Sequence, residues 1–241
     1  MIHDTASRGF SRSADAYEKG RPGYPEAAMA LIASHLPAGA TVLDLAAGTG
    51  KLTRPLLAVG LEVIAVEPVA EMRSALPASV RALEGTAEAI PLAAGEVDGV
   101  AVGQAFHWFD GDAALAEIHR VLRPEGLLAL LWNTRVESDP VNRALDDLLD
   151  PYRRGAPTQR GEAWRAAFDR TMRFGPVEER EFAGEQRLDA DGMEARVGSI
   201  SFIAALGETE RKRVVARARA MAGDGEVTVR YRTEVLMWRR S

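Results

Sequence analysis

The stretch from Thr41 to Thr53, TVLDLAAGTGKLT, constrains this chain more than any other. Thr41-Val42-Leu43-Asp44-Leu45 is a β-rich apolar run carrying one acidic residue, and with glycines on both sides it reads as a buried parallel strand. Gly48 and Gly50 let the chain turn sharply and let its backbone lie close against a ligand. The apolar helical run that follows aims its free N–H groups, and the positive end of its dipole, into the same crevice. A strand, turn and helix in this order hold a small molecule at the carboxyl edge of a parallel sheet.

The remaining pattern supplies the sheet. Before the first strand, Phe10, Ala14 and Tyr17 share a helical face, and Arg21-Pro22-Gly23-Tyr24-Pro25 breaks that helix. Pro25 opens a second helix with Ala28, Leu31, Ile32 and Leu36 inward. Further strands are predicted at Leu61–Val66, Val80–Leu83, Val97–Val102 and Leu127–Trp132, with a helix over Asp112–Leu122 and a turn at Arg123-Pro124-Glu125-Gly126. Strands alternating with helices imply a doubly wound α/β sheet. After Asn133 the pattern changes. Helical segments are predicted around Val141–Tyr152, Glu162–Asp169, Gly192–Ala205 and Glu208–Met221, with strands at Glu178–Leu188 and Val227–Trp238. The expected organisation is a helical lid over residues 1–39, a ligand-binding core over 40–133, and a helical cap with closing strands over 134–241.

Composition removes several function classes. A formal net charge of −5 disfavours a general nucleic-acid surface, which wants a basic face. The basic group Arg211, Lys212, Arg213, Arg217 and Arg219 stands opposite an apolar helical face and reads as solvated surface. With no cysteine, disulfides, thiolate metal sites and cysteine nucleophiles are excluded. Met1–Phe10 is polar and unlike a signal peptide, and no apolar run approaches the length of a membrane span, so a cytoplasmic protein is expected. The oligomeric state is left open.

The crevice motif restricts its ligand. A nicotinamide fingerprint wants a third glycine where Thr53 stands, and a phosphate loop wants longer glycine spacing than Gly48-Thr49-Gly50-Lys51. Asp44 beside the turn would repel a pyrophosphate. A ligand with a ribose and a positive group but no phosphate fits better. Glu67, 17 residues after Gly50 at the end of the second strand, is placed to accept both ribose hydroxyl hydrogens.

Taken together, Val42-Leu43-Asp44-Leu45-Ala46-Ala47-Gly48-Thr49-Gly50, Glu67-Pro68 with Met72, Gly85-Thr86-Ala87-Glu88 with Ile90-Pro91-Leu92, Gln104-Ala105-Phe106-His107-Trp108 and Arg123-Pro124-Glu125-Gly126 resemble the class I S-adenosylmethionine-dependent methyltransferases. Arg21-Pro22-Gly23-Tyr24-Pro25, His107-Trp108-Phe109 and Trp132-Asn133 look like the methyltransferase type 11 group, within it proteins related to trans-aconitate methyltransferase. One departure is Ala46, where the family usually has glycine; an alanine there is expected to keep an ordinary backbone angle. The resemblance implies a Rossmann-like seven-stranded sheet, mostly parallel with an antiparallel last strand. It implies S-adenosylmethionine as cofactor and no metal. Asp44 and the backbone at Ala46, Gly48 and Gly50 would face the methionine moiety, and Glu67 the ribose. Pro68 and Met72 would pack on adenine, with Ala87 and Glu88 at its polar edge. Gln104 would meet the methionyl amino group through its backbone, and Tyr17 and Arg21 would close over the methionine carboxylate.

Methyl transfer from a sulfonium needs no enzyme nucleophile, so the absence of cysteine is consistent with it. His107, just past the fourth strand, is the candidate general base for an acceptor that must lose a proton. Aromatic faces at Phe106 or Trp108 would support a cation. Gln104-Ala105-Phe106-His107 stands where nucleic-acid amino methyltransferases carry an Asn/Asp-Pro-Pro-aromatic sequence, so a small-molecule acceptor is favoured. Arg135, Tyr152, Trp164 and Phe202 are the candidate linings of its pocket; a pocket arginine would matter for a carboxylate acceptor. The alternatives are a non-catalytic S-adenosylmethionine-binding regulator and a nicotinamide-dependent oxidoreductase, the latter disfavoured by Thr53 and Asp44.

Overall fold

Seven strands form one sheet in the order β3-β2-β1-β4-β5-β7-β6. The computed structural model describes residues 18–153 and 164–241. The strands are β1 Thr41–Leu45, β2 Glu62–Val66, β3 Arg81–Leu83, β4 Val97–Gly103, β5 Leu122–Arg135, β6 Phe174–Leu188 and β7 Val227–Arg240. β1 to β5 pair in parallel, and β7 runs antiparallel to both β5 and β6. This is the doubly wound, mostly parallel sheet that the sequence predicts. Its antiparallel strand is the last in the chain, inserted between β5 and β6.

The helices are α1 Glu26–Ser34, α2 Thr53–Ala58, α3 Ala70–Arg73, α4 Gly111–Val121, α5 Pro140–Leu149, α6 Arg165–Asp169, α7 Ala190–Gly198, α8 Ser201–Ala204 and α9 Glu208–Ala220. Several begin where the local chemistry requires it. The Asp110 carboxylate accepts from Ala113 N to cap α4. Asp139 accepts from Val141 N and Asn142 N to cap α5, with Pro140 in the first turn. Asp189 accepts from Gly192 N to cap α7.

Alternation along the strands sends side chains to two cores. Leu43, Leu45, Val100, Val102, Leu128 and Leu130 bury on one face, with Leu115 and Ile118 of α4. Val42, Val63, Ala101, Ala129 and Leu131 bury on the other, with Ala28, Met29 and Ile32 of α1 and Leu56 of α2. A third cluster joins α5, α7, α8 and α9 to Val229 and Tyr231 of β7.

Three elements differ from the sequence reading. β5 begins at Leu122 and carries Arg123-Pro124-Glu125-Gly126 inside it; Leu122 pairs with Val97 before a register shift resumes at Gly99 and Leu127. Glu125 sits there at φ 61°. The helix predicted over Gly192–Ala205 is two helices, α7 and α8. They part at Ser199-Ile200, where the Ser199 hydroxyl turns back onto Arg196 O. β6 starts earlier than predicted, at Phe174, passing Pro176 with a shift in register. The helix predicted around Phe10, Ala14 and Tyr17 lies outside the described residues. No helix among those described is long and apolar enough to cross a membrane.

Candidate functional site

β1 pairs with β2 on one side and with β4 on the other, so the winding direction reverses at β1. A crevice opens there at the carboxyl ends of the strands. The register sets Asp44 beside Ala65 and Ala101, and brings the ends of β1, β2 and β4 to one edge. The turn after β1 is tight: Ala47 N donates to Val66 O (3.1 Å) and Gly50 N to Ala47 O (2.9 Å). Gly48 and Gly50 take φ of 56° and 88°. Ala46 also takes a positive φ, 59°, so the ordinary backbone angle expected of it is not what the turn requires. The chain must reverse at once beyond Leu45, and the alanine accepts a left-handed conformation that suits glycine better.

Two carboxylates dominate the crevice. Asp44 is 1% exposed and accepts from the Thr53 hydroxyl at 2.5 Å. Burial pushes its pKa from 3.8 up to about 7, and the nearby Glu67 charge adds to the rise while the Thr53 hydrogen bond opposes it. Glu67 is 4% exposed and receives Gly48 N on one oxygen and Val69 N on the other, both at 2.9 Å. Burial raises its pKa, against those two backbone N–H groups. Each Glu67 oxygen keeps lone-pair capacity for a ligand hydroxyl. A pair of buried acids is hostile to a pyrophosphate and suited to a cationic, hydroxyl-bearing ligand. The donor set therefore fits an adenosyl sulfonium.

The other cofactor candidates fall around this pair unevenly. Met72 is 3% exposed, and Ala87 is also buried. Pro68 is half-buried. Glu88 accepts from Asp110 N at 3.1 Å, at the start of α4. Gln104 adopts φ 61° and donates its N–H to Leu131 O at 2.9 Å, which turns the chain sharply off the end of β4. Tyr17 lies outside the described residues. Arg21 donates through Nη2 to Ser199 O at 2.8 Å, so it ties the segment before α1 to the end of α7.

Sequence reasoning passed over Glu18. Its carboxylate accepts from the Thr49 hydroxyl (2.7 Å) and lies 3.2 Å from Lys51 Nζ and 3.6 Å from an Arg54 guanidinium nitrogen, directly on the glycine turn. The available signal was its position one residue from Tyr17. Thr53 was read only as a missing glycine, whereas its hydroxyl is the hydrogen-bond partner of Asp44. The same segment is anchored at the far side of the crevice. Asn133 Nδ2 donates to Gly23 O (3.0 Å), and the Thr233 hydroxyl donates to Asn133 Oδ1 (2.6 Å). Gly103 lies so close to Tyr24 that an added Cβ would stand 2.4 Å from its hydroxyl.

His107 sits in a short 3₁₀ turn, Phe106–Trp108, just past β4. Its ring lies 4.9 Å from that of Trp108 and 5.3 Å from that of Trp132. Burial, and then the Arg21 charge, lower its pKa from 6.5 to about 4, so it is a neutral imidazole at physiological pH. Its Nδ1 and Trp132 Nε1 are buried with no hydrogen-bond partner among the described residues.

The substrate candidates separate. Phe106 is 1% exposed and packs against Phe109, Phe168 and Trp164, as part of the core beneath the 3₁₀ turn. Trp164 is buried in that core with its ring 5.6 Å from Trp132. Tyr152 is buried in the third cluster and its hydroxyl accepts from Arg213 at 3.4 Å. Phe202 packs against the same cluster. Arg135 is partly buried and paired with Asp146, which also binds Arg153 at 3.0 Å. Among the described residues, no three His, Asp or Glu side chains cluster as metal ligands.

A methyltransferase domain model, type 11, matches residues 43–130. An uncharacterized methyltransferase of Mycobacterium tuberculosis is 50% identical over 156 residues, which are 61% of this chain and 63% of that protein. An uncharacterized methyltransferase-like protein of Schizosaccharomyces pombe is 36% identical over 207 residues, covering 83% of this chain and 80% of the relative. A solved structure from Anaeromyxobacter dehalogenans, assigned to the type II methyltransferases, superposes with a TM-score of 0.70 at 26% identity, over 91% of this chain and 97% of that one.

Proposed function

Because the chain belongs to the class I S-adenosylmethionine-dependent methyltransferases, in the group carrying the type 11 methyltransferase domain, we propose that it transfers a methyl group from S-adenosylmethionine to a small-molecule acceptor. The observation that carries this reading is the buried acid pair. Glu67, held by Gly48 N and Val69 N, would take the ribose hydroxyls, and Asp44 would sit against the cationic side of the methionine moiety. When bound, S-adenosylmethionine would supply an electrophilic methyl group carried on a sulfonium, with sulfur as the leaving atom.

The chain's own residues align and dry the site. Glu18 holds the glycine turn closed from the lid side through Thr49, Lys51 and Arg54. Trp108, Trp132 and His107 form a mostly apolar wall past β4, which excludes water from the reacting atoms. His107 is neutral at pH 7 and has a partnerless ring nitrogen among the described residues, so it can accept a proton or orient an acceptor hydroxyl. Its low basicity suits it better to orienting than to full proton abstraction.

Calorimetry with S-adenosylmethionine, S-adenosylhomocysteine and NAD tests the cofactor. The two sulfur ligands are expected to bind and NAD is not, and Glu67→Ala should weaken both sulfur ligands by about tenfold or more. NAD binding, or an unchanged affinity in Glu67→Ala, would refute the reading. Labelled-methyl transfer into a metabolite extract then identifies the acceptor class. Cofactor binding without any labelled product would assign a non-catalytic regulator instead.

A further inference from the structure

The methyl-donor crevice leaves one buried and two partly buried arginines without a task. Arg196 of α7 is 6% exposed; its Nε donates to the Tyr231 hydroxyl at 2.9 Å, and its Nη1 has no hydrogen-bond partner among the described residues. Arg135 stands opposite Tyr231 in the β5–β7 register, and its Nε is likewise buried without a partner among them. Burial, and then the Arg196 charge, lower the pKa of Arg135. Arg21 continues the line. It binds Ser199 O, one turn beyond Arg196, and its charge reaches His107. A row of cationic groups therefore runs from the cap to the end of β4.

Such an arrangement is costly by itself. An unpaired buried donor loses its hydration without return, and the loss is greater when the group is charged. The one carboxylate on Arg135 is Asp146, which is shared with Arg153, and among the described residues no ion pair neutralises Arg196. We propose that Arg196 and Arg135 together receive a carboxylate of the methyl acceptor, which anchors the acceptor between the cap and the sheet with its reacting atom toward His107. This rests on the methyl-transfer reading above.

The partnerless Arg196 Nη1 and Arg135 Nε match the oxygens of a planar carboxylate. A phosphate monoester brings a second negative charge to a site that already holds the Asp146 carboxylate. The anchored carboxylate is not the methylated group, because the anchor lies at Arg196 and Arg135 while the reacting atom faces His107. The acceptor is thus an organic acid with a second, nucleophilic function.

The test is a calorimetric titration of succinate, glutarate and adipate into the full chain saturated with S-adenosylhomocysteine, with the matching diamides and inorganic phosphate as counter-probes. At least one dicarboxylate is expected to bind, and the diamides and phosphate are not. Arg196→Gln and Arg135→Gln should each weaken that dicarboxylate about tenfold or more while S-adenosylhomocysteine affinity is kept. Arg123→Gln, which removes the exposed pair with Asp98, should change neither. No dicarboxylate binding to the saturated protein, equal binding of diamide or phosphate, or wild-type affinity in both pocket variants would overturn the proposal. Failure of S-adenosylhomocysteine itself to bind would strike the methyl-donor reading instead. If Arg196→Gln also loses S-adenosylhomocysteine, Arg135→Gln decides alone, and wild-type dicarboxylate affinity there overturns the assignment.

Discussion

Asp44 on β1 and His107 just past the neighbouring β4 shift in opposite senses through one cause, burial. The Asp44 carboxyl rises from 3.8 to about 7, so the folded chain holds a proton there that the unfolded chain has released. Its contribution to stability is present below the unfolded pKa and is lost as pH rises toward 7. His107 falls from 6.5 to about 4, so its contribution is present above 6.5 and is lost as pH falls toward 4. In the wild type the two nearly cancel between those limits, and single variants separate them. Urea unfolding from pH 4 to 7 should show Asp44→Asn gaining on wild type as pH rises, and His107→Gln losing. Parallel curves for Asp44→Asn and wild type would mean that Asp44 is not a buried, proton-holding acid. Ala46 offers a second test. A left-handed non-glycine residue costs about 1–2 kcal/mol, and glycine returns part of that gain through its greater freedom in the unfolded chain. Ala46→Gly should therefore stabilise by about 0.5–1 kcal/mol in the same assay. A loss of stability would contradict the positive φ. The one sequence signal for this angle is the glycine that the family usually carries here; alanine itself is compatible with ordinary turns, and the abrupt reversal after Leu45 forces the left-handed conformation.

Elements that pack on the sheet were legible to the extent that their residues repeat. The buried runs of β1, β4 and β5 and the inner face of α4 announce themselves through unbroken or periodic apolar residues. The cap was less legible. Arg196 is buried in α7 between Met193 and Val197, and an arginine inside an apolar stripe reads as surface until Tyr231 is seen to accept its proton. The segment before α1 was legible only as a helix breaker. Its docking depends on Gly20, since a Cβ there would stand 2.4 Å from Ala195 O, a backbone atom of α7 that cannot swing aside. Gly23, three residues on, has nothing within 4 Å of an added Cβ. Gly20→Ala is therefore expected to destabilise by about 1–3 kcal/mol through overpacking, and Gly23→Ala to change stability by less than about 0.5 kcal/mol. Thermal denaturation of the pair checks this. Equal behaviour of the two variants would show that the segment does not rest on α7.

At the scale of the whole molecule, the question is whether cap and sheet form one cooperative unit. The third cluster contains Leu145, Leu148 and Leu149 of α5, Met193 and Val197 of α7, and Val214 of α9, and it closes on Val229 and Tyr231 of β7. β7 is hydrogen-bonded over Tyr231–Arg239 to β5, inside the sheet, and along its whole length to β6 at the edge. Among the described residues the cluster of α5, α7, α8 and α9 is continuous with that strand, so loosening it exposes one side of β7. Removing most of a buried leucine from a filled core costs about 2–5 kcal/mol. Leu145 is 1% exposed, and Leu145→Ala should fall in that range. The chain's tryptophans report on a different place. Trp132 and Trp164 lie in the core on the α4 face of the sheet, Trp238 packs against it, and Trp108 stands beside His107. Helical ellipticity and tryptophan fluorescence therefore watch the two regions separately. In one cooperative unit, Leu145→Ala lowers both urea midpoints equally, and the two curves stay superimposed as they are in wild type. If instead ellipticity shows an early loss while the fluorescence midpoint stays fixed, the cap melts by itself. The carboxylate anchor proposed at Arg196 and Arg135 would then rest on a layer that opens without the sheet. Coincident curves are the expected result, because Tyr231 belongs to the cap cluster and to the sheet at once.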